Sequence, residues 1–227
     1  MEKRFITFEG GEGSGKTTQV QRLAARLRAA GHDVITTREP GGTEMAERIR
    51  ALLVTGETDA LSSTAEALLN YAARDDHLRR LIRPALAAGK VVISDRFMDS
   101  TRAYQVLAGT CPAALVEAME THVVGDTRPG LTLILDIDPE IGLARAGRRL
   151  AETGGRKAGE GAEESRFERF GLDFHRRLRA AYLEIARAEP ERCVVIDAAR
   201  DPAAVEADIW RAVQERLGLQ KTGGSGS

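Results

Sequence analysis

The chain has 227 residues, 33 Lys and Arg against 34 Asp and Glu, a net charge of −1 and an isoelectric point near 6.5. That length suits one well-buried α/β domain or two small ones, and the balanced charge offers no broad basic footprint for nucleic acid. No apolar run approaches the ~20 residues that span a bilayer, and the N-terminus lacks a charged-then-apolar export signal, so a cytoplasmic protein without membrane or nucleic-acid partners is expected.

In chain order, β-branched runs at Phe5–Phe8, Asp33–Thr37, Val91–Ser94, Leu131–Asp136 and Cys193–Asp197 read as strands. Helical patterns lie between and after them, at Lys16–Ala30, Glu44–Leu53, Ala65–Ala88, Pro112–Val123, Glu140–Leu150, Phe167–Ala188 and Pro202–Leu217. Regular alternation predicts an α/β fold, a five-stranded parallel sheet with helices on both faces and right-handed crossovers. Residues 1–219 are expected to form a single domain; 220–227, with its Gly/Ser ending, reads as a flexible tail of the kind cloning leaves. Cys111 and Cys193 lack CxxC spacing and read as reduced thiols.

The strongest chemical signal follows the first strand. Gly10-Gly11-Glu12-Gly13-Ser14-Gly15-Lys16-Thr17 has the GxxxxGK[ST] spacing, between a strand and a helix. Glycines allow a tight turn that aims backbone N–H groups inward, and the helix opens its positive end on the same point, which makes an anion cradle for a nucleoside triphosphate. Residues 10–17 with Thr18 form the expected ATP site; Lys16 reaches the β- and γ-phosphates, and Thr17 is a ligand of the accompanying Mg²⁺. The motif speaks for binding and leaves the reaction open.

In an open parallel sheet, ligands collect at the carboxyl ends of the strands. Arg38-Glu39-Pro40-Gly41-Gly42 follows the second strand and Asp95-Arg96 the third. Asp95 can hold a metal through water, and Arg96 can grip a second phosphate bidentately. Arg38 and Arg74 are further candidate grips, although Arg38 next to Glu39 is equally compatible with a solvated loop pair. A basic, Gly-interrupted stretch over 142–169, carrying Arg145, Arg148, Arg149, Arg156, Arg166 and Arg169, reads as a mobile lid at about 148–166 or as a charge-balanced helix end. Trp210 reads as core packing, the four histidines as ordinary helix or loop residues, and Asp136 and Asp138 as turn and cap chemistry ahead of Pro139.

Taken together, GGEGSGKTT, TREPGGTEMAERIR, LLNYAARDDHL, VVISDRFMDSTRAYQ, LTLILDIDPEIGLAR and the SRFE run resemble the thymidylate kinases, the bacterial form with lid arginines. The resemblance covers residues 3–215 and implies a P-loop kinase fold, transfer of the ATP γ-phosphate to thymidine monophosphate, Mg²⁺ as cofactor and a homodimer. Position by position it implies that Glu12 meets the acceptor's 3′-OH, that Arg38 and Arg96 lie at its phosphate, and that Asp95 is associated with the metal. It further implies Arg74 beside base and phosphate, Ser100, Thr101 and Gln105 near the base edge, and Tyr104 closing off a ribose 2′-OH. Arg149 and Arg166 take the lid role. A catalytic set of Lys16, Arg38, Asp95, Arg96, Arg149 and Arg166 follows.

Three positions depart from the family pattern. Asn70 stands where the family has a Phe that stacks on thymine, and Tyr71 beside it is rotated by about 100° on a helix. Val106-Leu107-Ala108-Gly109 replaces a glycine-rich continuation, and the lid carries extra residues around 151–164. Asn70 chiefly keeps open a kinase for another nucleoside monophosphate; a non-catalytic nucleotide-binding module is a further alternative, against which the intact Lys16, Thr17, Asp95 and Arg96 speak. A GTPase switch would need a guanine-reading NKxD segment, which the sequence lacks.

Overall fold

The computed structural model describes residues 2–54, 60–152 and 170–219, the side chains of residues 149, 150 and 152 excepted. Strand β1 (Glu2–Glu9) leads into α1 (Lys16–Ala29), followed by β2 (Val34–Arg38), α2 (Glu44–Val54), α3 (Ser63–His77), α4 (Arg83–Ala87) and β3 (Val91–Asp95). Then come α5 (Met98–Thr101), α6 (Ala113–Met119), β4 (Pro129–Asp136), α7 (Pro139–Glu152), α8 (Leu172–Ala188), β5 (Cys193–Asp197) and α9 (Pro202–Leu217). The five strands form one parallel sheet in the order β2-β3-β1-β4-β5, with Ile6 level with Ile93 on one side and Leu131 on the other.

Side-chain alternation along β1 divides the core between two faces. Ile6 and Phe8 pack with Val20, Leu23 and Leu27 of α1 and Val205, Ile209 and Val213 of α9. Phe5 belongs to the opposite layer, with Tyr71, Leu78, Ile82, Val92 and Phe97. A third cluster sets Leu178, Tyr182 and Ile185 of α8 against Ile134 of β4 and Tyr104. Burial of such side chains contributes about 1.5–3 kcal/mol each before chain entropy is counted. The central strand is thereby held from both faces, and its carboxyl end becomes a fixed platform.

The expected helix over Ala65–Ala88 is present but widens into a π turn at Leu78–Ile82. Ser62 caps its start, accepting from Ala65 N at 3.1 Å. Nothing in the sequence predicts a helix over residues 98–107, since the run is short, polar and without a clear period. They form α5 and a second π turn, Arg102–Leu107, because the buried Glu9 carboxylate takes the orphan Phe97 N–H at 2.8 Å and the apolar side chains dock on the sheet. π turns concentrate at functional sites, and this one carries Tyr104 and Gln105. No described helix is long and apolar enough to cross a membrane.

Candidate functional site

The chain reverses direction across β1: β3 and β2 lie to one side and β4 and β5 to the other, so the ends of β1, β3 and β4 open on one crevice. The loop 10–15 turns there through positive φ at Gly10, Gly13 and Gly15. Close approach makes Gly13 obligatory, since a Cβ would lie 1.9 Å from the Gly142 carbonyl of α7, and one on Gly142 would lie 2.4 Å from the Glu12 carbonyl. The Lys16 ammonium folds back over the loop, donating to the carbonyls of Gly10 and Gly11 at 3.1 and 3.0 Å. Ser14 Oγ donates to Gly11 at 2.9 Å, while Thr17 and Thr18 stand exposed at the first turn of α1.

Thr17 and Asp95 meet across the crevice, the hydroxyl donating to Oδ2 at 3.1 Å. Asp95 Oδ1 is buried and has no hydrogen-bond partner among the described residues. A hydroxyl and a half-engaged carboxylate beside a phosphate cradle are the oxygen donors a hard divalent cation takes, so the pair fits Mg²⁺.

On the other side of the loop, Arg96 sits at the end of β3 with a positive φ of 69° and donates through Nη2 to Glu12 Oε1 at 2.9 Å. The Tyr104 hydroxyl donates to the same oxygen at 2.9 Å. Burial alone would raise the Glu12 carboxyl, but Arg96, Lys16 and the Tyr104 hydroxyl outweigh it and hold the group below the usual carboxylate range. Arg96 Nη1 lies within 3.2–3.4 Å of the Gly10 carbonyl, Tyr182 Oη and Ser100 Oγ, and Ser100 in turn donates to Glu9 at 2.6 Å.

Arg74 is fully buried. Its Nε donates to Glu39 Oε2 at 2.8 Å, and Nη2 donates to the Phe97 carbonyl at 3.0 Å and to Thr101 Oγ1 at 3.2 Å. Tyr71 lies 4.5 Å from the Arg74 guanidinium and turns into the core, so it offers no face to a ligand in place of Asn70. The Asn70 amide donates to the Glu66 carbonyl one turn back at 2.9 Å, and Gln105 donates to the Glu66 carboxylate at 3.0 Å. Arg38 pairs with Glu47 at 3.2 Å and is two-fifths exposed, so the neighbouring-pair reading with Glu39 does not hold: Glu39 is buried against Arg74.

The crevice thus sets Lys16 and Arg96 about the glycine loop, with Glu12 and Tyr104 ordering Arg96, while Arg38 is held by Glu47 and Arg74 is buried against Glu39. It can seat two anionic ligands and stabilise a phosphoryl group passing between them, a reaction that depends on positioning and charge rather than on a protein nucleophile. Arg166 lies outside the described residues, as does the side chain of Arg149. Among the described residues no three His, Cys, Asp or Glu side chains cluster as a metal site. Asp138 accepts from Glu140 N at 2.9 Å, the expected cap, whereas Asp136 takes both guanidinium arms of Arg179 on α8. Glu9, Glu39, His77 and Tyr182 were missed from sequence. A carboxylate directly ahead of the glycine loop and a histidine one turn after Arg74 were the available signals.

A sequence model described as thymidylate kinase matches residues 8–209. A thymidylate kinase of Caulobacter vibrioides is 60% identical over 215 residues, covering 95% of this chain and 98% of the relative. One from Magnetococcus marinus is 48% identical over 217 residues, covering 96% and 98%. A crystal structure of thymidylate kinase from Ehrlichia chaffeensis superposes with a TM-score of 0.73 at 32% identity, covering 92% of this chain and 98% of that one.

Proposed function

The chain belongs to the thymidylate kinase family, and on that premise we propose how its residues divide the work of the reaction. The enzyme transfers the γ-phosphate of ATP to dTMP, giving ADP and dTDP. The division of labour is supported by two contacts: Thr17 meets Asp95 across the crevice, while Glu12 of the same loop is held by Arg96 and Tyr104.

ATP lies along residues 10–18, with Lys16 against its terminal phosphates. Thr17, and Asp95 through water, hold the Mg²⁺ that comes with ATP; when bound, it neutralises charge on the phosphates. Arg96 and Arg38 take the phosphate of dTMP, which requires each to exchange its present carboxylate partner, Glu12 and Glu47, for the ligand. Glu12 is left to accept from the 3′-OH, Tyr104 walls off the 2′ position, and Ser100, Thr101 and Gln105 border the base with Asn70. Arg149 and Arg166 meet the transferred phosphate from the lid, a role supported by the resemblance alone. Residues 1–219 act as one cytoplasmic domain.

The protein works as a homodimer. Met45 and Leu52 on α2 and Leu68 on α3 are 46%, 60% and 49% exposed on two helices packed against each other, an apolar surface that a second copy would cover. Sedimentation of the wild type beside Leu52→Asp tests this, with a monomeric wild type overturning it.

ADP release with ATP and Mg²⁺ across dTMP, dUMP, UMP, CMP, GMP and AMP tests the acceptor assignment. Preference for dTMP that is lost in Arg96→Ala, with ATP binding intact, supports it; normal turnover by Arg96→Ala rejects it.

A further inference from the structure

Among the described residues, Arg96 is the only one other than glycine with a positive φ, at 69°, a backbone conformation that side chains disfavour. Hydrogen bonds on both sides hold that turn. The Arg96 N–H donates to the Phe8 carbonyl at 2.8 Å, its carbonyl accepts from Ser94 Oγ at 2.8 Å, and the next N–H, of Phe97, donates to Glu9 Oε1 at 2.8 Å. The turn delivers the guanidinium to the glycine loop, where Nη2 meets Glu12 and 16% of the side chain is exposed.

Glu9 is completely buried at the end of β1, and its carboxylate does more than brace the backbone. Oε1 alone secures Phe97. Oε2 accepts from Ser100 Oγ at 2.6 Å and from Tyr182 Oη at 3.1 Å. With their protons turned to the carboxylate, both hydroxyl oxygens offer lone pairs to Arg96 Nη1, which lies 3.4 Å from Ser100 and 3.3 Å from Tyr182. Glu9 thus grips Arg96 at both ends, the backbone through Phe97 and the guanidinium through the hydroxyls. Burying a carboxylate is costly, and a neutral acceptor would hold the Phe97 N–H without that cost. The negative charge is what turns both hydroxyls away from the cation they face.

We propose that Glu9 is a positioning residue for the acceptor phosphate: acting through Phe97, Ser100 and Tyr182, it holds the Arg96 guanidinium in place for the phosphate of dTMP. This rests on the assignment of Arg96 to that phosphate. Nη1 is the anchored side, also donating to the Gly10 carbonyl at 3.2 Å, and Nη2 is the side that exchanges Glu12 for the ligand. An arginine anchored beforehand loses less freedom when the phosphate arrives. A carboxylate that only braced β1 against α5 would act on stability and would not depend on Arg96.

Calorimetry of the full chain with dTMP and with ATP, on Glu9→Gln alone and combined with Arg96→Ala, separates these roles. A pH of about 8 keeps wild-type Glu9 ionised, since burial pushes its carboxyl up to about 7. Glu9→Gln keeps an acceptor for Phe97 but sets an NH2 against Ser100 and Tyr182, which turns their hydroxyl protons toward Arg96. Binding of dTMP should weaken roughly tenfold, within the range for hydrogen bonds to a charged group, while ATP stays within about twofold. Tyr182→Phe removes one of the hydroxyls and should cost about threefold. In the Arg96→Ala background either substitution should change dTMP binding by less than about twofold, because its route to the phosphate is gone. Should Glu9→Gln not fold, Tyr182→Phe carries the same comparison. Wild-type dTMP binding in Glu9→Gln, or in Tyr182→Phe where that variant stands in for it, overturns the proposal. So does the same loss with and without Arg96, or an equal loss for dTMP and ATP. If Arg96→Ala itself binds dTMP normally, the acceptor assignment of Arg96 is wrong and the proposal falls with it, whereas loss in Arg96→Ala alone rejects the role of Glu9 and keeps the assignment.

Discussion

Tyr104 Oη and Arg96 Nη2 converge on a single oxygen of Glu12, each at 2.9 Å, so that one carboxylate in the phosphate-binding loop is oriented by two residues from the segment after β3. On the proposed assignment the triphosphate and acceptor sites are coupled through Glu12.

Removing one of its two orienting donors should show on the acceptor side. Tyr104→Phe keeps the ring and loses the hydroxyl, so a KM for dTMP raised roughly tenfold is expected, matching a lost hydrogen bond to a charged group, with the KM for ATP unchanged. Steady-state kinetics with each substrate varied in turn checks this. An equal rise in both would mean that the hydroxyl supports the loop as a whole.

Asp95 should control the metal requirement. Asp95→Asn preserves shape and the contact with Thr17 but removes the charge, and the Mg²⁺ concentration for half-maximal rate should rise on the order of 10- to 100-fold, as for loss of an outer metal partner. A Mg²⁺ titration at saturating ATP and dTMP reads it directly. Unchanged Mg²⁺ dependence would remove Asp95 from the metal site.

The contact between Gly13 and Gly142 is backbone on backbone. Gly142→Ala forces α7 away from the loop and should cost about 1–3 kcal/mol, a drop of roughly 2–10 °C in Tm, with weaker ATP binding. Gly147, further along the same helix, has open space where a Cβ would stand, with no neighbour within 4 Å, and Gly147→Ala should be neutral or stabilising by about 0.5–1 kcal/mol. Thermal melts with and without ATP compare the two.

Strand positions and the glycine loop were legible because both are local: β-branched runs specify strands, and the GxxxxGK[ST] spacing specifies a loop between strand and helix. Arg74 was found by its motif, yet its partners were not, since Glu39 lies 35 residues away and the pair exists only once α3 packs over the β2 loop. Helical structure at 98–107 was likewise hidden, because its N–H cap is Glu9, 88 residues before Phe97. Buried polar networks of this kind are products of tertiary packing, and no residue in them carries a local period.

Glu9 should make stability fall as pH rises. Burial first, and the nearby Asp99 charge second, push its carboxyl from 4.5 up to about 7. Between those values the folded protein retains a proton that the unfolded chain has released, so stability present below pH 4.5 is lost by pH 7, by an amount on the order of 3 kcal/mol. Glu9→Gln does not titrate, and its stability relative to wild type should improve steadily across that window. Urea melts at several pH values check the slope; a constant difference would mean that Glu9 stays ionised in the fold.

Asn70 stands where the resemblance implies a stacking aromatic, and its amide is spent on the Glu66 carbonyl of its own helix. Tyr71 beside it does not replace that face, being turned inward onto Arg74. The neighbouring edge is polar, Gln105 donating to Glu66 at 3.0 Å, and on the proposed acceptor site it is this edge that the base meets. Asn70→Phe adds that face, and an aromatic stack is worth about 0.5–1.5 kcal/mol, so dTMP affinity should tighten roughly two- to tenfold. The gain should extend to dUMP, since stacking does not read the methyl group, whereas Gln105→Ala should weaken dTMP and leave ATP alone. Calorimetry of both variants with dTMP and dUMP decides it: an Asn70→Phe variant with unchanged affinity would place the base away from this turn of α3.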